Sequence, residues 1–278
     1  MLTVERLGSA QEFLTATIGL RSREPVLTNV MGSVATSVVA GRRYDRETWL
    51  VAREEDDVVG CAMRTAPWPV SLSPMSHHVA AAVGRALLEH EPQLDELAGP
   101  ADVVRAVVAA LGDPSYTVAS TDVARVLGSP VPPRHPCPGR ARPARAEDAE
   151  ALTAWMIAFA DEAGLPSHDA RPSVELMLAD DRLLVWEVGD IPVAMAGHAP
   201  TVDAPSGRVG RIGPVYTTRA HRRRGFGAAA TYAVARRLRQ TCATVMLFAD
   251  AENPDSNSVY SALGFDAVAE VVHVRLAP

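Results

Sequence analysis

The stretch from Val215 to Ala230 constrains the fold more than any other part of the chain, because it predicts a strand, a turn and a helix in direct succession. Val215 and Tyr216 are residue types that favour strands. A polar connector follows, from Thr217 to His221. Small and apolar residues then recur at helical spacing, at Ala228, Tyr232, Val234, Ala235 and Leu238.

Two glycines stand where this helix is predicted to begin. Gly225 and Gly227 allow backbone conformations that are closed to other residues and let a ligand approach closely. The N–H groups of a first helical turn are unpaired and lie at the positive end of the helix dipole. The segment Arg222–Arg224 adds positive charge, so the stretch predicts a phosphate or pyrophosphate site. The alternative is a glycine-containing turn before an ordinary helix, with solvated arginines.

The spacing of the glycines excludes two common types of phosphate-binding loop. No Gly-Lys-Ser or Gly-Lys-Thr follows Gly227, so the stretch is not a nucleotide P-loop. It does not match G-x-G-x-x-G either.

A second helix is predicted from Asn253 to Gly264. Asn253, Asp255 and Ser256 are typical of a helix start, and Gly264 is typical of a helix end. Tyr260 lies inside this helix, one turn after Ser256. A strand-sized segment, Ala243 to Ala249, separates the two motifs.

Together the two stretches resemble the GNAT superfamily of N-acetyltransferases. Arg222-x-x-Gly225-x-Gly227 matches the acetyl-CoA loop of that family, Gln/Arg-x-x-Gly-x-Gly/Ala. Asn253 to Phe265 resembles its second signature, an Asn, a Tyr seven residues on, then Gly-Phe. The resemblance covers roughly residues 140 to 278. It implies an α/β (α+β) fold with a mixed, mostly antiparallel sheet flanked by helices.

The resemblance also implies how acetyl-CoA, the co-substrate, is held. Backbone N–H groups from Arg223 to Ala228 would bind the pyrophosphate, and the end of the preceding strand would pair with the pantetheine arm like an added strand. The residues placed at the co-substrate are Val215, Tyr216, Thr217, Arg222, Arg223, Arg224, Gly225, Phe226, Gly227, Ala228 and Asn253. Alternatively, Val215, Tyr216 and Thr217 are ordinary strand residues without a role in binding. Asn253 could instead cap the helix, and a capping role is compatible with a contact to the co-substrate.

Tyr260 matches the tyrosine of the family that protonates the departing thiolate when an amine attacks the thioester. Its phenol is a neutral donor at about pH 7. The alternative is a ring that only packs in an amphipathic helix. Asp250, Glu252 and His198 lie near predicted strand ends, but none of them is singled out as the general base. Asp161 and Glu162 end a predicted helix near the acceptor and could attract a cationic amine.

Composition excludes several other classes of protein. The chain has 278 residues, a net charge of −6 and no lysine, which argues against general nucleic-acid or anionic-membrane binding. Cys61, Cys137 and Cys242 are scattered without C-x-x-C spacing, which indicates a reducing compartment and no metal site. Charged residues near the N-terminus are not typical of a signal peptide. We therefore expect a cytoplasmic protein.

Two tandem domains are predicted. Ser129 to Pro143 contains six prolines and no long apolar run, which is typical of a linker or an extended crossing strand. The predicted boundaries are a degenerate GNAT-like domain at 1–130, a linker or crossing strand at 131–143, and an acetyl-CoA-binding domain at 144–278.

An internal repeat is predicted from the similarity of the two halves. Leu50–Met63 parallels Leu184–Gly197, and each half ends in a helix and a closing strand. The first half has no Arg-x-x-Gly-x-Gly between Leu72 and Val79, so we expect it to lack the chemistry and to cover or shape the active half.

The predicted function is transfer of an acetyl group from acetyl-CoA to a small-molecule or peptide amine. The alternative is a non-catalytic acyl-CoA-binding regulatory or scaffolding protein, which would bind the co-substrate without turnover. A nucleic-acid binder that uses Arg222–Arg224 would show affinity falling steeply with salt, and the negative net charge opposes it. The acceptor, the acyl preference and the oligomeric state are left open.

Overall fold

The computed structural model describes residues 1–167 and 169–277. Its N-terminal half runs from the first to the sixth strand. The elements of this half are β1 (Leu2–Arg6), α1 (Ala10–Ala16), α2 (Ile18–Arg23), α3 (Asn29–Val39), β2 (Glu47–Glu54), β3 (Asp57–Thr65), β4 (Val70–Leu72), α4 (His77–His90), β5 (Glu96–Gly99), α5 (Ala101–Ala110) and β6 (Tyr116–Leu127).

The C-terminal half has the same order of strands and helices with one helix fewer. The division into two tandem domains stays a prediction. The elements of the C-terminal half are β7 (Arg140–Pro143), α6 (Ala149–Ala163), α7 (Ala170–Ala179), β8 (Leu183–Val188), β9 (Ile191–His198), β10 (Val209–Thr217), α8 (Phe226–Leu238), β11 (Thr244–Asp250), α9 (Pro254–Ala262) and β12 (Phe265–Leu276). Residues 128–139, which join the halves, are called the crossing segment below.

All the strands form one sheet in the order β1-β2-β3-β4-β5-β12-β6-β11-β10-β9-β8-β7. The last strands of the two halves are exchanged. β12 pairs antiparallel with β5 of the N-terminal half, while β6 pairs antiparallel with β11 of the C-terminal half. β6 and β12 also pair with each other over most of their length. Each half therefore needs a strand of the other to complete its sheet.

The helices cover both faces of the sheet because each carries one apolar stripe. α4 and α5 pack on one face of the N-terminal half, and α1 and α3 pack on the other. In the C-terminal half α8 and α9 share one apolar cluster with Leu184 and Ile212. α6 and α7 pack with Leu183 and Tyr216 on the opposite face, as the period of two along a strand requires.

The fold class is confirmed: the chain is a mixed α/β protein with a mostly antiparallel sheet flanked by helices. β1 and β5 were not predicted as strands. In the segment predicted as a linker or crossing strand at 131–143, residues 140–143 form the edge strand β7 and those before it are irregular. The domain boundaries stay a prediction, since the sheet is continuous across them.

Within the described chain, no helix combines the length and the apolar character needed to cross a membrane.

Candidate active site

The two parallel strands at the centre of the C-terminal half diverge. β10 pairs with β11 only from Val209 opposite Thr244 to Ile212 opposite Leu247. The register of β10 against β9 shifts between Ile212 and Val215, and beyond this bulge β10 stays paired with β9 alone. β11 continues to Asp250 along β6. The facing edges of residues 213–217 and 248–250 therefore have no partner strand and line an open cleft.

Val215, Tyr216 and Thr217 form the β10 side of this cleft. Their contact with a co-substrate stays a prediction. Val215 lies half-buried against the apolar cluster under α8. Tyr216 is 8% exposed and packs with Trp155 on the opposite face, the ring centroids 6.3 Å apart. The side chain of Tyr216 is therefore part of the core. Its backbone still lies on the strand edge that can pair with a ligand.

The loop between β10 and α8 presents its backbone N–H groups. Arg223 and Gly225 have φ values of 58° and 82°, in the left-handed region that favours glycine. Ala229 N–H makes the first turn's bond, to the Gly225 carbonyl. Among the described residues, the N–H groups from Arg223 to Ala228 donate to no carbonyl or side chain. They lie at the positive end of the α8 dipole, where an anion is stabilised.

Gly227 is needed for a close contact with the cleft strand. A Cβ added at Gly227 would lie 3.0 Å from Thr217 Oγ1. A side chain at this position would crowd the end of β10, and the Thr217 hydroxyl would have to move by a few tenths of an ångström. The two glycines therefore have different roles. Gly225 allows the left-handed backbone turn, and Gly227 leaves room for the close contact between the start of α8 and Thr217.

The three arginines do not act alike. Arg222 turns back onto the strand: its Nε donates to the Thr217 carbonyl at 3.1 Å, and its guanidinium lies 5.5 Å from the Tyr216 ring centroid. Arg224 lies 5.1 Å from the Phe226 ring centroid, and Arg223 is exposed. Arg219 and Arg222 are also exposed but pair with Glu162, so the uncompensated charge at this loop comes from Arg223 and Arg224.

Glu162, at the end of α6, accepts from Arg222 Nη2 at 2.8 and 2.7 Å and from Arg219 Nε at 3.2 Å. The hydrogen bond from Arg222 holds the pKa of this carboxyl below its ordinary value. The suggestion that Glu162 attracts a cationic amine is therefore replaced by a role at the loop, because its charge is already compensated.

Phe226 anchors the first turn of α8. It is 1% exposed and packs with Val193 and Ala194 of β9. His221 approaches it edge-on, with 6.2 Å between the ring centroids. Phe226 thus holds the loop through its side chain, and only its backbone N–H is available to a ligand. Ala228 lies half-buried against the apolar cluster under α8.

α9 carries both Asn253 and Tyr260. The Asn253 side chain caps the helix, accepting from Ser256 N–H at 3.1 Å. The predicted cap is therefore confirmed, and Asn253 remains exposed at the end of β11. Its place at a co-substrate stays a prediction.

Tyr260 packs its ring edge-on against Phe265, at 6.3 Å between centroids. It joins the same apolar cluster that Val215 and Ala228 contact. Its hydroxyl makes no hydrogen bond within the described chain. Burial raises the pKa of the phenol, so Tyr260 stays a proton donor at neutral pH. The fold therefore packs Val215 of β10, Ala228 of α8 and Tyr260 of α9 against one apolar cluster.

Sequence reasoning missed Arg125, which positions α9. Its Nε and Nη2 donate to Asn257 Oδ1 at 3.1 and 3.0 Å, and its Nη1 donates to Ser261 Oγ at 3.0 Å. Arg125 lies on β6, a strand of the N-terminal half. No local pattern could reveal this contact, because it depends on the exchanged strand.

The crossing segment was also missed as a neighbour of the loop. A Cβ at Gly225 would lie 3.8 Å from Cys137 Cβ and 3.9 Å from the His135 carbonyl oxygen. Pro138 accepts a hydrogen bond from Trp186 Nε1 at 2.9 Å, which ties the segment to β8. The proline-rich segment is therefore one wall beside the anion-binding turn.

The three side chains considered as bases are placed differently. Asp250 caps the turn after β11 by accepting from Glu252 N–H at 2.9 Å, and Glu252 is exposed. His198 is on the far end of β9, where burial lowers the pKa of its imidazole. None of the three is held against Tyr260 by a hydrogen bond. In residues 1–167 and 169–277, no group of three His, Cys, Asp or Glu side chains is arranged to hold a metal ion.

The N-terminal half has no equivalent cleft. β4 and β5 pair at Val70 opposite Leu97 and at Ser71 opposite Ala98. At the next position a Cβ on Gly99 would lie only 2.9 Å from Leu72 Cβ. The two strands thus stay in contact to the end of β4, and the chain turns into α4 without a glycine-rich loop.

A cleft between diverging parallel strands, followed by an N–H-rich turn at a helix start, is what the resemblance to the GNAT superfamily implies for this half, and comparisons with known proteins support that resemblance. The FR47-like protein family model matches residues 204–274. This match spans the end of the β9–β10 loop, the cleft strands, α8, α9 and most of β12.

Solved structures of GNAT acetyltransferases share the fold of the whole chain. An acetyltransferase from Colwellia psychrerythraea matches with a TM-score of 0.63 at 9% identity, covering 99% of this chain and 100% of that one. A tandem GNAT protein from the clavulanic acid biosynthesis pathway matches with a TM-score of 0.62 at 14% identity, covering 100% and 99%. A GCN5-related N-acetyltransferase from Kribbella flavida matches with a TM-score of 0.59 at 17% identity, covering 92% of this chain and 96% of that one. A search of curated protein sequences found no match.

Proposed function

We propose that the C-terminal half is an N-acetyltransferase that binds acetyl-CoA in the cleft between β10 and β11 and transfers the acetyl group to an amine. The observation that carries the proposal is the run of unpartnered N–H groups from Arg223 to Ala228 beside the diverging strands. A pyrophosphate supplies the acceptors and the negative charge that such a turn lacks. The exposed Arg223 and Arg224 add attraction for it.

The open edge of β10 then takes the pantetheine arm. Residues 213–217 have lost β11 as a hydrogen-bonding partner, so an extended amide chain can pair with them as an added strand. This places the thioester near the point where the strands separate. A β10 N–H there would polarise the thioester carbonyl as the tetrahedral oxyanion forms.

Tyr260 is assigned the proton that the leaving group needs. The amine nitrogen forms a bond to the carbonyl carbon, the carbon–sulfur bond breaks, and the phenol gives its proton to the thiolate. The proton lost by the amine passes to water. Because burial raises its pKa, the phenol of Tyr260 is protonated when the reaction begins.

The N-terminal half is proposed as a structural partner in this reaction. It supplies β6 and with it Arg125, which holds α9 and therefore Tyr260. The amine acceptor is proposed to be a small molecule or peptide. A non-catalytic acyl-CoA-binding protein is the competing possibility, and it predicts binding without turnover.

Calorimetric titration of acetyl-CoA into the native protein tests the co-substrate. The matched variant changes both Gly225 and Gly227 to Glu, which adds negative charge and bulk at the turn. Micromolar binding that is lost in the variant supports the site and justifies an amine screen with Tyr260→Phe as the control. No binding to the native protein would overturn the proposal. Binding without turnover on any amine would favour the non-catalytic alternative.

A further inference from the structure

A second cavity lies between the two halves, on the sheet face opposite α8. It has a volume of about 130 Å³. Its polar lining comes from Ser33, Ser37, Arg42, Ser173, Arg182, His198 and Arg211. α3 of the N-terminal half forms one wall, and α7, β9 and β10 of the C-terminal half form the others. The cavity therefore exists only because the two halves pack together.

Arg211 is the central feature of this cavity. Its Nε donates to Asn29 Oδ1 and its Nη2 donates to Ser33 Oγ, both at 3.0 Å. Asn29 and Ser33 are 2% and 1% exposed, so the contact is deep in the interface. Within the described residues no carboxylate lies within ion-pair distance of Arg211, and its Nη1 donates to no group.

Such a charge is costly, because burial of a cation without a counterion forfeits its hydration. Burial lowers the pKa of Arg211 to about 10. The guanidinium is nevertheless charged at neutral pH. Arg211 is half-buried by accessible surface. A half-buried cation with unused N–H donors that line a cavity is complementary to an anion, and a guanidinium suits a planar carboxylate best.

The other charged groups around the cavity leave a positive excess. Arg42 pairs with Asp169, and Arg182 Nε pairs with Asp180 at 2.9 Å. Each of those guanidinium groups therefore has its own carboxylate. Burial lowers the pKa of His198, which keeps its imidazole neutral at pH 7. One cationic charge, that of Arg211, has no protein counterion among the residues described.

The position of Arg211 links this cavity to the cleft. Ile212 packs in the apolar cluster under α8, so its neighbour Arg211 faces the opposite side of the sheet. Gly213, two residues after Arg211, begins the bulge in β10. A Cβ added at Gly213 would meet no atom within 4 Å, so space continues beside it. Gly213 is also the first residue of β10 beyond its pairing with β11. The distance along the strand is about 7 Å, at roughly 3.3 Å per residue.

We propose that this cavity binds a carboxylate of the acceptor, and that the acceptor is an amine that carries a carboxylate at its far end. The inference rests on the proposed acetyl transfer, and it names the substrate class for that reaction. Arg211 takes the carboxylate, while the amine extends along Gly213 to the thioester at the strand divergence. Ser37 and the paired Arg42 and Arg182 complete the polar wall.

Matched amines test this specificity. The probes are 6-aminohexanoate and hexylamine, with 4-aminobutanoate and 8-aminooctanoate to vary the reach. The native protein is expected to prefer the amino acid over the alkylamine of equal length by about 30-fold in kcat/KM, mainly through KM, since a buried charge pair is replaced by an unpaired charge. Arg211→Met is expected to reduce that preference to near one. Equal use of both compounds by the native protein, or an unchanged preference in the variant, would overturn the proposal.

Further variants separate folding from recognition. Ser37→Asp keeps Arg211 and places a carboxylate in the cavity, so it is expected to abolish the preference while stabilising the fold. Arg85→Met removes an exposed arginine on α4 and is the matched control, with the preference intact. If Ser37→Asp kept the native preference, Arg211 would not be the recognition group.

A binding experiment distinguishes this inference from the proposed function. Calorimetry with hexanoate, which has no amine, is expected to show binding to the native protein and at least about 30-fold weaker binding to Arg211→Met. Acetyl-CoA binding should be equal in both proteins. If acetyl-CoA binds neither protein, the proposed function fails, whatever the hexanoate result. If inorganic phosphate binds at Arg211 but hexanoate does not, the cavity holds a free anion and the acceptor inference fails.

Discussion

Arg222 and Glu162 join the loop before α8 to the end of α6. Arg222 Nη2 lies 2.8 and 2.7 Å from the two carboxylate oxygens of Glu162. The same guanidinium donates through Nε to the Thr217 carbonyl at 3.1 Å. The Arg222 side chain thus connects α6, on one face of the sheet, and the loop before α8, on the other face, to strand β10. These contacts hold the anion-binding turn at a fixed distance from that strand.

Arg222→Met is expected to weaken acetyl-CoA binding by roughly 3- to 10-fold, because the loop must then be ordered on binding. The free energy of unfolding should change by less than about 1 kcal/mol, since the ion pair is at the surface. Glu162 already compensates the charge of Arg222, so the deficit should persist in high salt. Calorimetry in low and high salt measures this. Arg223→Met, which removes an exposed charge, should instead show a deficit that salt erases.

Gly225→Ala is expected to lower stability by about 1–2 kcal/mol, because its φ of 82° is in the left-handed region. It should also weaken acetyl-CoA binding, since the strain is relieved by moving the N–H groups of the turn. Gly112→Ala is the matched control, with a φ of 95° and open space around its Cβ position, far from the cleft. Chemical denaturation and calorimetry compare the two. Equal binding losses would show that instability alone explains the effect.

Tyr260→Phe is expected to lower kcat by about 100-fold or more, while the Kd for acetyl-CoA stays within a few-fold of the native value. The hydroxyl makes no hydrogen bond within the described chain, so its removal should leave stability almost unchanged. Burial raises the pKa of the phenol, so any alkaline loss of kcat from this group should begin at a higher pH than it would for an exposed tyrosine. A phenylalanine variant with native kcat would reduce Tyr260 to a packing residue.

The chain is expected to bind one molecule of acetyl-CoA. The strands of the N-terminal half stay in contact where Gly99 meets Leu72, so no second cleft is open to a pantetheine arm. The stoichiometry of a calorimetric titration measures this. A second site that survives the double Gly225→Glu, Gly227→Glu change would show that the N-terminal half also binds the co-substrate.

Acid is expected to destabilise the protein partly through His198. Burial is the largest influence on its imidazole and lowers its pKa below the ordinary value of 6.5. As the pH falls from 6.5 toward that lowered pKa, the unfolded chain takes up a proton that the folded chain does not, so stability falls. His198→Gln should remove this contribution. Urea unfolding at pH 7 and pH 5.5 should show a smaller loss for the variant, and an equal loss would contradict the assignment.

The sequence by itself determined the local part of this protein. The turn at Gly225, the start of α8 and the Asn253 cap follow from backbone geometry and from hydrogen bonds between near neighbours. The two motifs and their spacing were sufficient to predict the superfamily resemblance and the order of elements. The strand segment predicted at 243–249 and the helices predicted after Gly225 and from Asn253 lie within a few residues of β11, α8 and α9, whereas the apolar patterns of β1 and β5 are too brief to read.

Only the tertiary structure decided the relations between distant residues. β6 and β12 are exchanged, so Arg125 of one half holds the α9 helix of the other. Arg211 is one arginine among many in the sequence, and its burial against Asn29 and Ser33 appears only when α3 packs on β10. The physical reason is that a local pattern reports propensity and periodicity, whereas strand order and desolvation of a charge depend on contacts between segments far apart in the chain.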